Sequence, residues 1–84
     1  MMWRHGPMMI TAAAGVPSNA RRRAASILTS LEATGHCHQV VERGAAELWD
    51  SRGELFLRIL TDRATIVHEE HRPITLLRGV YRVW

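Results

Sequence analysis

In 84 residues the chain has one cysteine, no lysine, three prolines and no long apolar run. A lone cysteine, Cys37, excludes a disulfide within the chain. That fits a reducing compartment, and we expect a cytoplasmic protein. No apolar stretch approaches the roughly 20 residues that a membrane-spanning helix needs, so no membrane role is expected. The N-terminus is a poor export signal. Arg4 and His5 precede the weakly apolar stretch 8–16, but Thr11 and Gly15 interrupt it, and Pro17 and Asn19 sit near any cleavage point. Internal repeats and low-complexity tracts are missing. So are a Gly-rich phosphate loop, a dinucleotide-binding fingerprint and a serine nucleophile in a recognisable setting. The sequence thus carries no recognisable nucleotide-binding or serine-hydrolase signature.

The chain that is left suits one small domain. Hydrophobic residues make up 46% of it, too many for a disordered segment. A domain of this size buries only about 60% of the surface its unfolded chain exposes, so modest stability is expected. All eleven basic residues are arginine, a composition that GC-rich genomes produce without functional meaning. Charge is uneven. Arg4, Arg21, Arg22 and Arg23 face only Glu32 in residues 1–35, whereas seven arginines balance seven acids in residues 36–84. Arg21–Arg23 would be a weak nucleic-acid contact. A solvated charge run beside a loose terminus is the plainer reading.

Residues 1–19 contain Gly6, Pro7, Gly15 and Pro17 and show no period. We expect a flexible arm, with at most a short strand at 8–11, preceding a single β-domain over 20–84. Ala24, Ile27, Leu28 and Leu31 follow the spacing of an amphipathic helix, but 27–29 equally suits a short strand. From His36 onward the pattern is β. Strands are expected at 38–42, 46–50, 54–60, 64–68, 74–76 and 80–84. Turns are expected at Arg43-Gly44, Ser51-Arg52-Gly53, Thr61-Asp62-Arg63 and Arg78-Gly79, and 69–73 reads as a polar connection. Alternation over 54–60 puts Leu55, Leu57 and Ile59 on one side and Glu54, Phe56 and Arg58 on the other. The fold class is therefore mainly β, a small antiparallel β-roll or barrel, with room for one short helix near the N-terminus.

Four of the five histidines fall in two pairs, His36 with His38 and His68 with His71. On a strand, residues two apart share a face, so His36 and His38 can offer two imidazoles to one ion. His68 and His71 have a turn-like spacing that can add one or two more. Imidazole suits zinc and other divalent transition metals, so a metal such as zinc is the cofactor to expect if these pairs converge. Solvated or hydrogen-bonded histidines are the commoner outcome for such residues. His36, His38 and Glu42 match the spacing of the first cupin metal motif, but the second motif is lacking. His68-Glu69-Glu70-His71 is one residue short of the zinc-protease pattern, whose histidines lie four apart on a helix. Cys37, between two histidines, reads as a small structural thiol rather than an activated nucleophile. Trp49, Phe56, Tyr81 and Trp84 are candidates for a base-stacking platform, although packing explains them as readily.

Two segments carry a resemblance. The first is 27–38, with Thr34-Gly35-His36-Cys37-His38. The second is 64–83, with His68-Glu69-Glu70-His71-Arg72-Pro73-Ile74 and Gly79-Val80-Tyr81. Together they resemble a group of small, uncharacterised bacterial proteins with a Thr-Gly-His-x-His segment, a middle hairpin and a His-Glu-x-His-x-Pro-Ile segment. The resemblance covers about 27–84 and implies β structure around Ile27. Departures are the Ala- and Arg-rich N-terminus, Leu31 where glycine is expected, and an end at Trp84 where relatives continue. No activity follows from it. The function expected is an accessory or binding module with a protein partner or a second copy of itself. A metal-binding protein, enzyme or not, using His36, His38, His68 and His71 is the alternative, and a weak nucleic-acid binder is the third reading.

Overall fold

A computed structural model describes residues 2–5, 8–23, 27–29, 38–68 and 71–84; Arg4, His5, Met8, Ile27–Thr29, His38 and His71 are described by backbone alone. The strands in chain order are β1 (Met2–His5), β2 (Met8–Ala13), β3 (Arg21–Arg23), β4 (Ile27–Thr29), β5 (His38–Val40), β6 (Ala46–Ser51), β7 (Glu54–His68) and β8 (His71–Val83). All pairings are antiparallel. The described residues contain no helix. Among the described residues, therefore, no helix is long and apolar enough to cross a membrane.

The expected middle hairpin is present. β6 pairs with the first half of β7 from Ala46↔Ile59 to Ser51↔Glu54. Its loop is Arg52-Gly53, both with positive φ, 51° and 80°. That is the primed two-residue turn whose twist matches a hairpin, and it explains why a glycine stands second. Leu57 and Ile59 are fully buried, as their alternation predicts.

Two expected turns are not turns. β7 runs straight through Thr61-Asp62-Arg63, and β8 runs through Arg78-Gly79. The two segments face each other across the ladder. Register shifts there from Ile59↔Gly79 to Arg63↔Leu77, so three residues of β7 oppose Arg78 alone. Surplus residues in one strand bend it and raise its twist. Gly79 takes the unusual φ of 151° at this bend, and Asp62 meets Arg78 at 3.0 Å across it. A second shift, between Ile66↔Ile74 and His68↔His71, leaves Arg72 and Pro73 opposite Val67 alone. Proline lacks an N–H, and a bulge is where a strand tolerates it. The expected polar connection 69–73 is thus mostly strand, with only residues 69–70 between β7 and β8.

The bent β7–β8 pair is the spine. β2 and then β1 add beyond β8. On its other edge β7 carries β6 along its first half and β5 along its second, with β3 outside β6 and β4 outside β5. The path is open, a roll rather than a closed barrel among the described residues. One face is buried by Ile10, Leu48, Leu57, Ile59, Ala64, Ile66, Leu76, Tyr81 and Val83, with Trp3, Val40, Leu55 and Ile74 packed against them. The radius of gyration, 11.8 Å, is close to the roughly 12 Å expected of a compact chain this long.

Two expectations about the N-terminal third are corrected. Residues 2–5 and 8–13 are not a loose arm but the β1–β2 hairpin. β2 pairs with β8 from Ile10↔Val83 to Ala13↔Val80, and Ile10 is fully buried. Met9 and Trp84 exchange backbone hydrogen bonds at 2.7 and 3.0 Å, which carries the ladder one pair further. The glycine and proline residues delimit these strands rather than prevent them. The helical stripe gives way as well: Arg21–Arg23 and Ile27–Thr29 are strands, with Ala24 and Leu31 outside the described residues. Backbone ladders to β6 and β5 outweigh a four-residue periodicity.

Candidate functional site

The histidines are positioned by long-range register. β5 pairs with β7 through Gln39↔Val67 and Val40↔Ile66. Continuing that register by one residue sets His38 opposite His68, and His68 is itself the partner of His71 in β8. On that continuation, the backbones of His38, His68 and His71 fall at one level of three neighbouring strands. Directly opposed Cα atoms in antiparallel pairs are about 4.5–5.5 Å apart. The level lies two residues along β7 from the row Val40–Ile66–Ile74, at the end of the buried face, and the His68 side chain is only 6% exposed. A buried imidazole at a core edge is a polar group that must be satisfied, and His68 does have an interaction partner. The side chains of His38 and His71 are outside the described residues, and so are the whole of His36, Cys37, Glu69 and Glu70. Among the described side chains, no three of His, Cys, Asp and Glu gather as a metal-ligand group.

Glu42, the third member of the cupin-like spacing, has a different task. Its carboxylate accepts the Thr65 N–H at 2.8 Å and the Thr65 hydroxyl at 2.8 Å. Those two hydrogen bonds hold the carboxyl below its usual pKa range. The Val41 N–H donates to the Thr65 carbonyl at 2.9 Å, and the Leu60 N–H donates to the Ala45 carbonyl at 2.7 Å. The 41–45 connection is thereby laid along β7 between β5 and β6, over the bend. Beneath it is a cleft of about 300 Å³, floored by Leu48 and Leu57 and rimmed by Gln39, Glu42 and Arg43.

Arg22 and Arg82 share the opposite face with most of the aromatics, whereas Arg21 and Arg23 register with Asp50 and Leu48 on the core side. Arg21–Arg23 are a solvent-exposed run, as expected, but they form strand β3, paired with β6 rather than lying beside a loose terminus. Arg22 reaches Glu47 at 3.5 Å and Arg23 reaches Asp50 at 3.3 Å. Trp49, Phe56 and Trp84 share the outer face, where register places Arg22, Trp49, Phe56 and Arg82 in one row. Tyr81 does not join them. It points into the core, packs edge-on against Trp3 at 5.6 Å and donates its hydroxyl to the Leu77 carbonyl at 2.6 Å. Strand parity in Val80-Tyr81-Arg82-Val83 was the signal that separates Tyr81 from the others.

The chain belongs to the family described as Domain of unknown function (DUF8820), whose profile matches residues 4–84. No curated protein and no solved structure matches it. The family match begins within β1, in keeping with a domain whose sheet includes the first hairpin.

Proposed function

We propose that the domain is a small accessory binding module that holds a divalent transition metal such as zinc at the level of His38, His68 and His71, with His36 as a further candidate ligand. One observation supports the reading: the β5–β7 register, continued one residue past Gln39↔Val67, brings His38 to the level of His68, whose partner in β8 is His71. Three imidazoles are a known zinc set, and they leave a fourth position for water or a partner's ligand. Ile66, fully buried two residues before His68, gives such a site one dry wall. A reducing cytoplasm, inferred from the lone cysteine, is compatible with imidazole ligation.

Calorimetric titration of the metal-free protein with zinc tests this. We expect one ion per chain, with loss of binding in His38→Ala, His68→Ala and His71→Ala. Imidazole must be neutral to ligate, so zinc binding should weaken as the solution is acidified. His68 is buried, and its truncation carries a risk of unfolding. His38→Gln and His71→Gln, judged only if their circular dichroism is native, are the deciding variants. No zinc uptake, or uptake unchanged in both, overturns the metal.

A second reading, a docking module for a protein partner or a second copy, is favoured by Leu77, Val41 and Leu60, which are exposed by 64%, 56% and 37%. Concentration-dependent mass by light scattering, abolished by Leu77→Asp, would support self-association, and a monomer at all concentrations would exclude it.

A further inference from the structure

We infer that the cleft beneath the 41–45 connection is a binding site for a small anion with an apolar tail, of the class of medium-chain monocarboxylates. The cleft follows from the topology. On one edge of β7 the β6 ladder stops at Ala46↔Ile59 and the β5 ladder starts at Val40↔Ile66, so the sheet has a gap between them. The 41–45 connection bridges that gap and is pinned at both ends. The Leu60 N–H donates to the Ala45 carbonyl at 2.7 Å, and the Val41 N–H donates to the Thr65 carbonyl at 2.9 Å. The Glu42 carboxylate adds two hydrogen bonds from Thr65, both at 2.8 Å. A wall fixed in this way spares a ligand the cost of ordering it.

The lining divides into an apolar depth and a polar rim. Leu48 and Leu57 close the deep end, 2% and 0% exposed, and the half-buried Val40 and Ala46 are the walls a ligand meets first. None of these side chains offers a hydrogen bond, so a sugar or a nucleobase would leave its polar atoms unpaired there, which is costly. The rim carries two charges, Glu42 and Arg43. Glu42 is committed to Thr65, which does not line the cleft. Arg43 stands at the tip of a tight turn, where the Ala45 N–H donates to the Glu42 carbonyl at 3.3 Å and Gly44 takes a φ of 72°. It is exposed, and among the described residues no ion pair engages it. A guanidinium over an apolar cleft selects a carboxylate head above a hydrocarbon tail, because its fork of N–H groups matches the two oxygens. The volume, about 300 Å³, is at the small end of ligand sites. At about 30 Å³ per water-sized group it holds roughly ten non-hydrogen atoms, the size of octanoate.

The test is titration of the isotope-labelled, metal-free full chain with octanoate, followed by amide NMR shifts. The rim begins one residue after His38, so removing metal ensures that zinc does not hold the carboxylate and separates this site from the metal reading. We expect saturable shifts confined to residues 39–48 and Leu57. Arg43→Gln, at an exposed turn, should weaken binding about fivefold, and Arg63→Gln, an exposed arginine outside the lining, should leave it unchanged. Octan-1-ol, with the same tail and no charge, should bind more weakly than octanoate by a similar factor. Four results would overturn the inference: no saturable shifts, shifts centred on the exposed Leu77 instead of the cleft, an affinity unchanged by Arg43→Gln, or equal affinities for octanoate and octan-1-ol.

Discussion

Leu57→Ala is the perturbation on which the sheet argument depends most directly. Leu57 is fully buried between its cross-strand partners Leu48 and Tyr81. Truncation removes three carbons from the core, worth roughly 2.4 kcal/mol at about 0.8 kcal/mol per carbon. A residual cavity adds about 24 cal/mol per Å³. Here that addition should be small, because Leu57 also lines the open cleft beneath the 41–45 connection, and its walls can close in or water can enter. The expected loss is therefore about 3 kcal/mol, near the low end of the measured range for buried leucines. An 84-residue domain holds roughly 4–13 kcal/mol at about 0.05–0.15 kcal/mol per residue. The variant should remain folded in the cold but melt about 12–24 °C lower, at some 4–8 °C per kcal/mol. Thermal and urea unfolding followed by circular dichroism and tryptophan fluorescence measure it. Leu77→Ala, exposed by 64%, is the control and should stay within about 0.5 kcal/mol of the parent. A loss below about 1 kcal/mol for Leu57→Ala, or equal losses for the two, would refute the assignment of faces.

Three further outcomes follow from the same packing. Arg52 holds a φ of 51°, a left-handed conformation that costs a residue with a side chain about 1 kcal/mol, so Arg52→Asn should raise the melting temperature by a few degrees. Burial pushes the Tyr81 phenol above its ordinary pKa of 10. Its contribution is thus complete below pH 10 and lost as pH rises through the folded-state value; alkaline melts should show this decline, and Tyr81→Phe should flatten it. Deleting residues 1–13 removes Ile10 and uncovers the Val83 end of β8, so urea unfolding should show a loss of at least the roughly 1.5–3 kcal/mol that one buried isoleucine supplies; an unchanged midpoint would restore the loose-arm reading.

Local pattern and long-range pairing divide what could be read from the residues. The alternation from Glu54 to Leu60 was legible because one face of that strand is core, and the hairpin with β6 followed from Arg52-Gly53. The bend at Asp62 and Arg78 was not. Thr61-Asp62-Arg63 and Arg78-Gly79 each look like a turn alone, and only their opposition in the β7–β8 register turns two chain reversals into one shared bulge. Gly6, Pro7, Gly15 and Pro17 misled in the same way, since breakers say where strands stop and not whether they join a sheet. The histidines show both sides. Spacing alone singled out His36, His38, His68 and His71, but bringing His38 towards His68 depends on β5 meeting β7 across about thirty residues of chain, a separation over which sequence periodicity carries no information. Tyr81 could have been assigned inward from parity, but the burial of Phe56 could not, because the same alternation puts it on the side away from the core.

Crystals of the protein grown with zinc, measured at the zinc absorption edge, test the metal-site proposal most directly. An anomalous peak at the level of His38, His68 and His71, with at least three imidazole nitrogens about 2.0–2.1 Å from it, is the expected result. No peak there in fully occupied crystals, or a zinc ion held by surface carboxylates elsewhere, would contradict it.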